Sequence, residues 1–109
     1  MTDFSLQDLE SIIQDRAASG DANSWTVKLL SKGSQKVAEK FGEEAIETII
    51  AAVSQEEVNL RDEAADTLYH LLVLLHARGV AIDDVMSELK RRTAQSGIAE
   101  KASRANVAD

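Results

Sequence analysis

A chain of 109 residues with nineteen acidic and twelve basic side chains, and a net charge of −7, has room for a single domain. The negative balance disfavours nucleic acid and anionic membranes as partners, and it would repel a phosphate-rich ligand unless a cation or a local basic cluster reversed the field. With no cysteine for disulfides or thiolate metal sites, no secretory pattern in Met1-Thr2-Asp3-Phe4-Ser5 and no apolar stretch of membrane-spanning length, a cytoplasmic protein is expected.

Proline is absent and apolar residues recur at three and four positions, so helix is the only supported element type. The first helix is predicted from Leu6 to about Ala18, with Ser5 as N-cap and Leu6, Leu9, Ile12 and Ile13 on one side. Ser19 to Asn23 reads as a loop. Ser24 is placed to cap a short helix carrying Trp25, Val27, Leu29 and Leu30, which ends near Lys32-Gly33. The third helix runs from Ser34 to about Val53 with Val37, Phe41, Ala45, Ile49 and Val53 as its apolar row. Its interior Gly42 is a weak point of the kind that usually marks close packing or a frayed turn.

The fourth helix is expected from a cap at Asn59 through Arg78 to the stop signal Gly79. Its segment Leu68 to Leu75 is apolar nearly all round and needs burial on more than one side. The last helix covers Asp83 to Arg92, with Val85, Met86 and Leu89 inward and Lys90, Arg91 and Arg92 matching the C-terminal dipole. Residues 1–95 thus form one all-α domain, a bundle of about five helices. Residues 96–109 form a polar tail expected to be ordered only by docking or on substrate binding. An all-helical chain of this size often completes its core by pairing with a second copy, which makes oligomerisation a point to watch for.

Two pairs of carboxylates stand out. Glu44 and Glu47 lie three residues apart on the third helix, and Glu63 and Asp66 repeat that spacing on the fourth, so each pair projects from one helical face. Such pairs are common on solvated faces of acidic chains. These, however, border the apolar faces: Glu44 neighbours Phe41, Ala45 and Thr48, and Asp66 precedes the most apolar segment. If the two helices form an antiparallel hairpin, as their short link suggests, the pairs meet across the seam. Four converging carboxylates with no basic residue among them suit a hard divalent cation, Mg²⁺ above all and Mn²⁺ next. Zinc fits less well, because neither His70 nor His76 has a partner at ligand spacing. His70, four residues after Asp66, reads as a structural histidine or as a support to the carboxylates; His76 reads as structural or exposed.

Lys28, Lys32, Lys36 and Lys40 recur every four residues and supply a basic stripe that is either solvent-exposed or in contact with phosphate. A second basic group comprises Lys90, Arg91, Arg92, Lys101 and Arg104.

The E-E-x-x-E run Glu43-Glu44-Ala45-Ile46-Glu47, followed by the E-x-x-D run Glu63-Ala64-Ala65-Asp66, resembles the signature of the all-α nucleotide pyrophosphohydrolases. Ser24-Trp25-Thr26, the run Asp66-Thr67-Leu68-Tyr69-His70-Leu71-Leu72 and the tail from Ser96-Gly97 through Glu100-Lys101 to Arg104 narrow the resemblance to the phosphoribosyl-ATP pyrophosphatase family of histidine biosynthesis. Trp25 stands where tyrosine is common in that family. The resemblance implies that Glu44, Glu47, Glu63 and Asp66 are metal ligands, that Glu43 is an accessory carboxylate, and that Lys40, Lys101 and Arg104 contact a small-molecule phosphoribosyl nucleotide. It also implies a dimer and metal-assisted hydrolysis of the α–β phosphoanhydride, with Glu44 or Glu47 orienting the attacking water. Two other readings stand beside it: a house-cleaning nucleoside triphosphate pyrophosphohydrolase of the same superfamily, and a non-catalytic helical dimerisation module.

Overall fold

Five α-helices make up the computed structural model, which describes residues 3–94 and Lys101: α1 (Leu6–Ser19), α2 (Trp25–Leu30), α3 (Ser34–Ser54), α4 (Glu57–Ala77) and α5 (Ile82–Thr93). No strand occurs among the described residues, and the chain is all-α as its periodicity predicts. The predicted tail, Lys101 excepted, lies outside the described residues.

Local chemistry sets most of the boundaries. The Ser5 hydroxyl accepts from the Asp8 amide at 3.0 Å while the Asp8 carboxylate accepts from the Ser5 amide at 3.0 Å, a reciprocal cap on α1. Ser24 caps α2 as predicted, through the Val27 amide. At the end of α4, Gly79 adopts φ 72°, and the Val80 amide reaches back to the Leu75 carbonyl at 2.9 Å. Two starts differ from expectation. Helix α4 begins before Asn59, with Glu56 as N-cap, because the Asn59 and Leu60 amides already bond the Glu56 carbonyl. Helix α5 begins at Ile82, whose amide donates to the Glu10 carboxylate of α1 at 2.8 Å, a cap supplied from across the fold.

Each helix sends at least one side chain into a single core: Ile13, Leu29, Val37, Leu72 with Val73, and Ile82. Helices α3 and α4, joined by Gln55-Glu56, form the most extensive pair and run antiparallel, since Glu44 and Thr48 face Thr67. The hairpin expected from the short link is therefore present.

The inward face of α3 is not the predicted row. Successive steps of four residues drift about 40° around a helix, so a row begun at Val37 has turned about 120° by Ile49. The buried positions instead follow steps of seven, Val37, Glu44 and Ala51. Ile46, Ile49, Ile50 and Val53 form a second, exposed apolar face. On α5, Ile82 is buried and Val85 half-buried, whereas Met86 and Leu89, expected inward, are exposed. Leu72 and Val73 of the apolar α4 segment are buried, but Leu68 is exposed. Gly42 shows no close packing: a Cβ placed there meets nothing within 4 Å among the described residues.

Candidate active site

Because Glu44 occupies the buried face of α3, its carboxylate is carried into the seam with α4, where the residue is only 7% exposed. The antiparallel partner brings Glu63 and Asp66 opposite it. One oxygen from each of Glu44, Glu63 and Asp66 lies within 4.8 Å of the other two, grading from buried Glu44 through half-buried Glu63 to exposed Asp66. The Oε2 atoms of Glu44 and Glu63 are buried with no hydrogen-bond partner among the described residues. Unpaired buried carboxylate oxygens are costly, and two ionised carboxylates this close in a half-buried setting repel by about 2–4 kcal/mol. A divalent cation with oxygen ligands would relieve both costs, so this donor set could hold Mg²⁺ or Mn²⁺.

Glu47 lies outside this trio and is exposed. Its carboxyl is pushed above the ordinary range by contact with Glu44, and then by the charges of Glu44 and Glu63. Lys40 is the basic counterweight, with Nζ 3.4 Å from Glu44 Oε1 and 3.7 Å from Glu43 Oε1. Partial burial pulls its pKa down, but the hydrogen bond and charge of Glu44, together with Glu43 and Glu47, outweigh that and raise it overall. The ammonium therefore stays charged beside the carboxylates.

Two hydroxyls fix the seam at this level. Thr48 Oγ1 and Thr67 Oγ1 are 2.7 Å apart, and each lies 3.0 Å from the Glu44 carbonyl oxygen. A second link ties α2 to α4. The Trp25 indole N–H donates to His70 Nε2 at 3.3 Å, so His70 carries its proton on Nδ1 and donates it to the Asp66 carbonyl at 2.7 Å. Buried His70 thus takes the structural role, reaching the carboxylates only through the Asp66 backbone. His76 is half-buried and away from this contact. The Tyr69 hydroxyl closes the network on Thr26.

Beside the carboxylates, Trp25, Leu29, Lys32, Lys36, Lys40 and Glu43 line most of a groove of about 590 Å³. Three lysines of the predicted stripe therefore share one concave surface; Lys28 does not line it. Lys101 is exposed, and Arg104 lies outside the described residues.

Sequence reasoning passed over Thr48 and Thr67 as functional positions. The available signal was spacing: a β-branched hydroxyl one turn after Glu44 and another directly after Asp66, both where a hairpin seam would lie. Nothing in the spacing joins Trp25 to His70, 45 positions apart.

Comparison with known proteins places the chain in a family. The family model for phosphoribosyl-ATP pyrophosphohydrolase matches residues 6–93. The phosphoribosyl-ATP pyrophosphatase of Rhizobium meliloti (strain 1021) is 56% identical over 106 residues, covering 97% of this chain and 99% of the relative. That of Methylobacterium radiotolerans is 59% identical over 104 residues, covering 95% and 97%, and that of Sinorhizobium medicae is 54% identical over 106 residues, covering 97% and 99%. On the extent of the family match and the near-complete coverage of these relatives, this chain belongs to the phosphoribosyl-ATP pyrophosphohydrolase family.

Proposed function

We propose that this chain hydrolyses phosphoribosyl-ATP to phosphoribosyl-AMP and pyrophosphate in histidine biosynthesis, and that it does so with Mg²⁺ or Mn²⁺ held by Glu44, Glu47, Glu63 and Asp66. The observation that carries the reading is the convergence of Glu44, Glu63 and Asp66 within 4.8 Å, two of them with buried oxygens that lack a partner among the described residues. Relatives matched over nearly their whole length carry the corresponding name.

A divalent cation bound to these carboxylates supplies charge neutralisation for the phosphate oxygens and lowers the pKa of a bound water. The remaining work falls to the chain. Glu44 and Glu63, held in the seam, set the ligand positions; the Thr48–Thr67 pair fixes the backbone that carries Glu44. Glu47 is exposed beside the trio, and we assign it the role of orienting the attacking water over Glu44, whose Oε1 faces Lys40. Water adds at phosphorus and gives up a proton to the solvent, the α–β anhydride bond breaks, and pyrophosphate departs with the electron pair. Lys40 balances charge at the groove end of the site, and Lys101 and Arg104 contribute further substrate contacts.

A second copy of the chain is the proposed cover for the exposed face of Ile46, Ile49, Ile50 and Val53, since these side chains continue the α3–α4 hairpin outward as apolar surface. The enzyme is assigned to the cytoplasm, in keeping with a nucleotide substrate and a chain without cysteine. No helix among the described residues is long and apolar enough to cross a membrane.

The test is pyrophosphate release by the purified protein with Mg²⁺ and either phosphoribosyl-ATP or a panel of nucleoside triphosphates. Release from phosphoribosyl-ATP is expected. Turnover of the panel alone would overturn the assignment in favour of a house-cleaning hydrolase. If Glu44→Gln and Asp66→Asn left both metal affinity and activity unchanged, the carboxylates would be a solvated face and not a site.

A further inference from the structure

We propose that Trp25 and Lys32 form the subsite that distinguishes phosphoribosyl-ATP from ATP, with the indole stacking on the adenine base and Lys32 taking the phosphate of the added ribosyl group. This rests on the function proposed above and concerns the end of the substrate remote from the bond that breaks.

Trp25 is 43% exposed, yet its ring is not loose. The indole N–H is held by His70, which is held by the Asp66 carbonyl, so the ring's edge is anchored to the same turn of α4 that carries a proposed metal ligand. The exposed part of the ring borders a groove within the size range of small-ligand sites. The Lys32 ammonium lies over that ring, 5.7 Å from its centroid.

The lysines of the groove differ in what neutralises them. Lys36 is paired with Glu39 at 3.3 Å, and Lys40 with Glu43 and Glu44. Lys32 has no carboxylate partner among the described residues, and its charge rests on the indole alone. A weakly neutralised ammonium on a concave wall gains most from an incoming phosphate. The three also stand in order: Lys36 lies one turn, about 6 Å, further than Lys40 from Glu44 along α3, and Lys32 precedes the helix.

Phosphoribosyl-ATP carries parts that match these groups. Its triphosphate lies at one end, adenine in the middle, and the phosphate of the second ribose at the other end. The site presents carboxylates with Lys40 at one part of the groove wall, and elsewhere on it an aromatic ring overlain by Lys32, a cation without a carboxylate partner among the described residues. Lys32 must leave the ring to bind the distal phosphate, and its departure uncovers the face on which the base stacks. ATP, lacking that phosphate, leaves Lys32 on the ring in competition with its own base. Discrimination follows from this exchange and needs no further contact.

Trp25 is the chain's single tryptophan, so its fluorescence reports on this subsite alone. Titration with phosphoribosyl-AMP and with AMP should quench the emission, phosphoribosyl-AMP at the lower concentration. Lys32→Ala should weaken phosphoribosyl-AMP about tenfold or more while affecting AMP less, as expected for loss of a charge-assisted contact to phosphate. Lys32→Arg should restore the preference. Trp25→Ala should lower kcat/KM for phosphoribosyl-ATP by about tenfold or more, the usual scale of a lost base–aromatic stack. If calorimetry detects phosphoribosyl-AMP binding without quenching, or if Lys32→Ala weakens both nucleotides by the same factor or neither, the subsite assignment is wrong. Wild-type protein that hydrolyses no phosphoribosyl-ATP would instead defeat the underlying function, so the two failures are separable.

Discussion

The Thr67 hydroxyl of α4 lies 3.0 Å from the Glu44 carbonyl of α3, in donating geometry, and locks the hairpin at the turn that carries the buried carboxylate. The contact is unusual in aim: it holds backbone, and through backbone the position of Glu44, while leaving the carboxylate oxygens for other partners. Thr67→Val keeps the side chain's shape and removes its hydroxyl, so the expected cost is about 1 kcal/mol, or roughly 4–8 °C in Tm for a domain of this size. The sharper expectation concerns metal. Half-saturation by Mg²⁺ in a pyrophosphate-release assay should move to higher concentration, and Thr67→Ser should bring it back. An unchanged Mg²⁺ titration would reduce Thr67 to a stability contact.

Gly42 offers an opposite case, a helix-interior glycine with open space where a Cβ would stand. Gly42→Ala should therefore stabilise the chain by about 0.5–1 kcal/mol through reduced freedom of the unfolded state, read as a higher denaturation midpoint at unchanged m-value. A loss of stability would mean that a second chain approaches α3 at this point.

How far the sequence carries can be judged from these residues. The helices and their caps at Ser5, Ser24 and Gly79 were legible because their chemistry is local. The start of α5 differs by one residue from the pattern because its cap, Glu10, lies 72 positions away. The meeting of Glu44 with Glu63 and Asp66 was legible as a consequence of the hairpin; that Glu44 is buried while Glu47 is exposed was not, because spacing of three puts two side chains on one face without saying which lies deeper. Steps of seven bury Glu44 together with Val37, and reading the third helix by that period would have separated Glu44 from Glu47.

Glu88 gives a pH dependence whose sign is fixed. Arg91 bonds it through both carboxylate oxygens, at 3.0 and 2.7 Å, and Arg92 adds a third contact at 2.9 Å. The Arg91 hydrogen bonds, then those of Arg92, hold its carboxyl down at about 2 from an ordinary 4.5. A carboxylate with a depressed folded-state pKa contributes stability that is complete above its unfolded value and lost as pH falls through the folded one. The contribution of Glu88 to the C-terminal half of α5 should fade between pH 4.5 and about 2. Glu88→Gln should remove this dependence, as followed by the amide signals of α5 in an NMR titration. A Glu88 carboxyl that titrates in the ordinary range would show that the two arginines do not hold it in solution.

The exposed face of α3 predicts an assembly. Val53 is 78% exposed and Ile49 62%, values that leave two branched apolar side chains in water on adjacent turns. If a second copy covers them, the 11.8 kDa chain should sediment at twice its mass, and Ile49→Lys with Val53→Lys should return it to the monomer. A wild-type monomer at working concentrations would leave this face open and remove the dimer from the proposal.

Glu63 separates the demands of folding from those of metal binding. Its Oε2 is buried without a partner among the described residues, and its charge faces Glu44, so in metal-free protein the carboxylate opposes the fold it belongs to. Glu63→Gln keeps the shape and removes the charge. Without metal, at neutral pH, this variant should be at least as stable as the wild type. With Mg²⁺ the ranking should invert: the wild type should gain about 2.7 kcal/mol at a hundredfold excess over Kd, and the variant much less. EDTA should return the wild type to its starting Tm and, because four acidic groups would then face a polyphosphate with Lys40 alone against them, should also weaken substrate binding sharply. A wild-type Tm indifferent to both Mg²⁺ and EDTA would mean that these carboxylates hold no ion, and the hydrolytic reading would lose the feature that carries it.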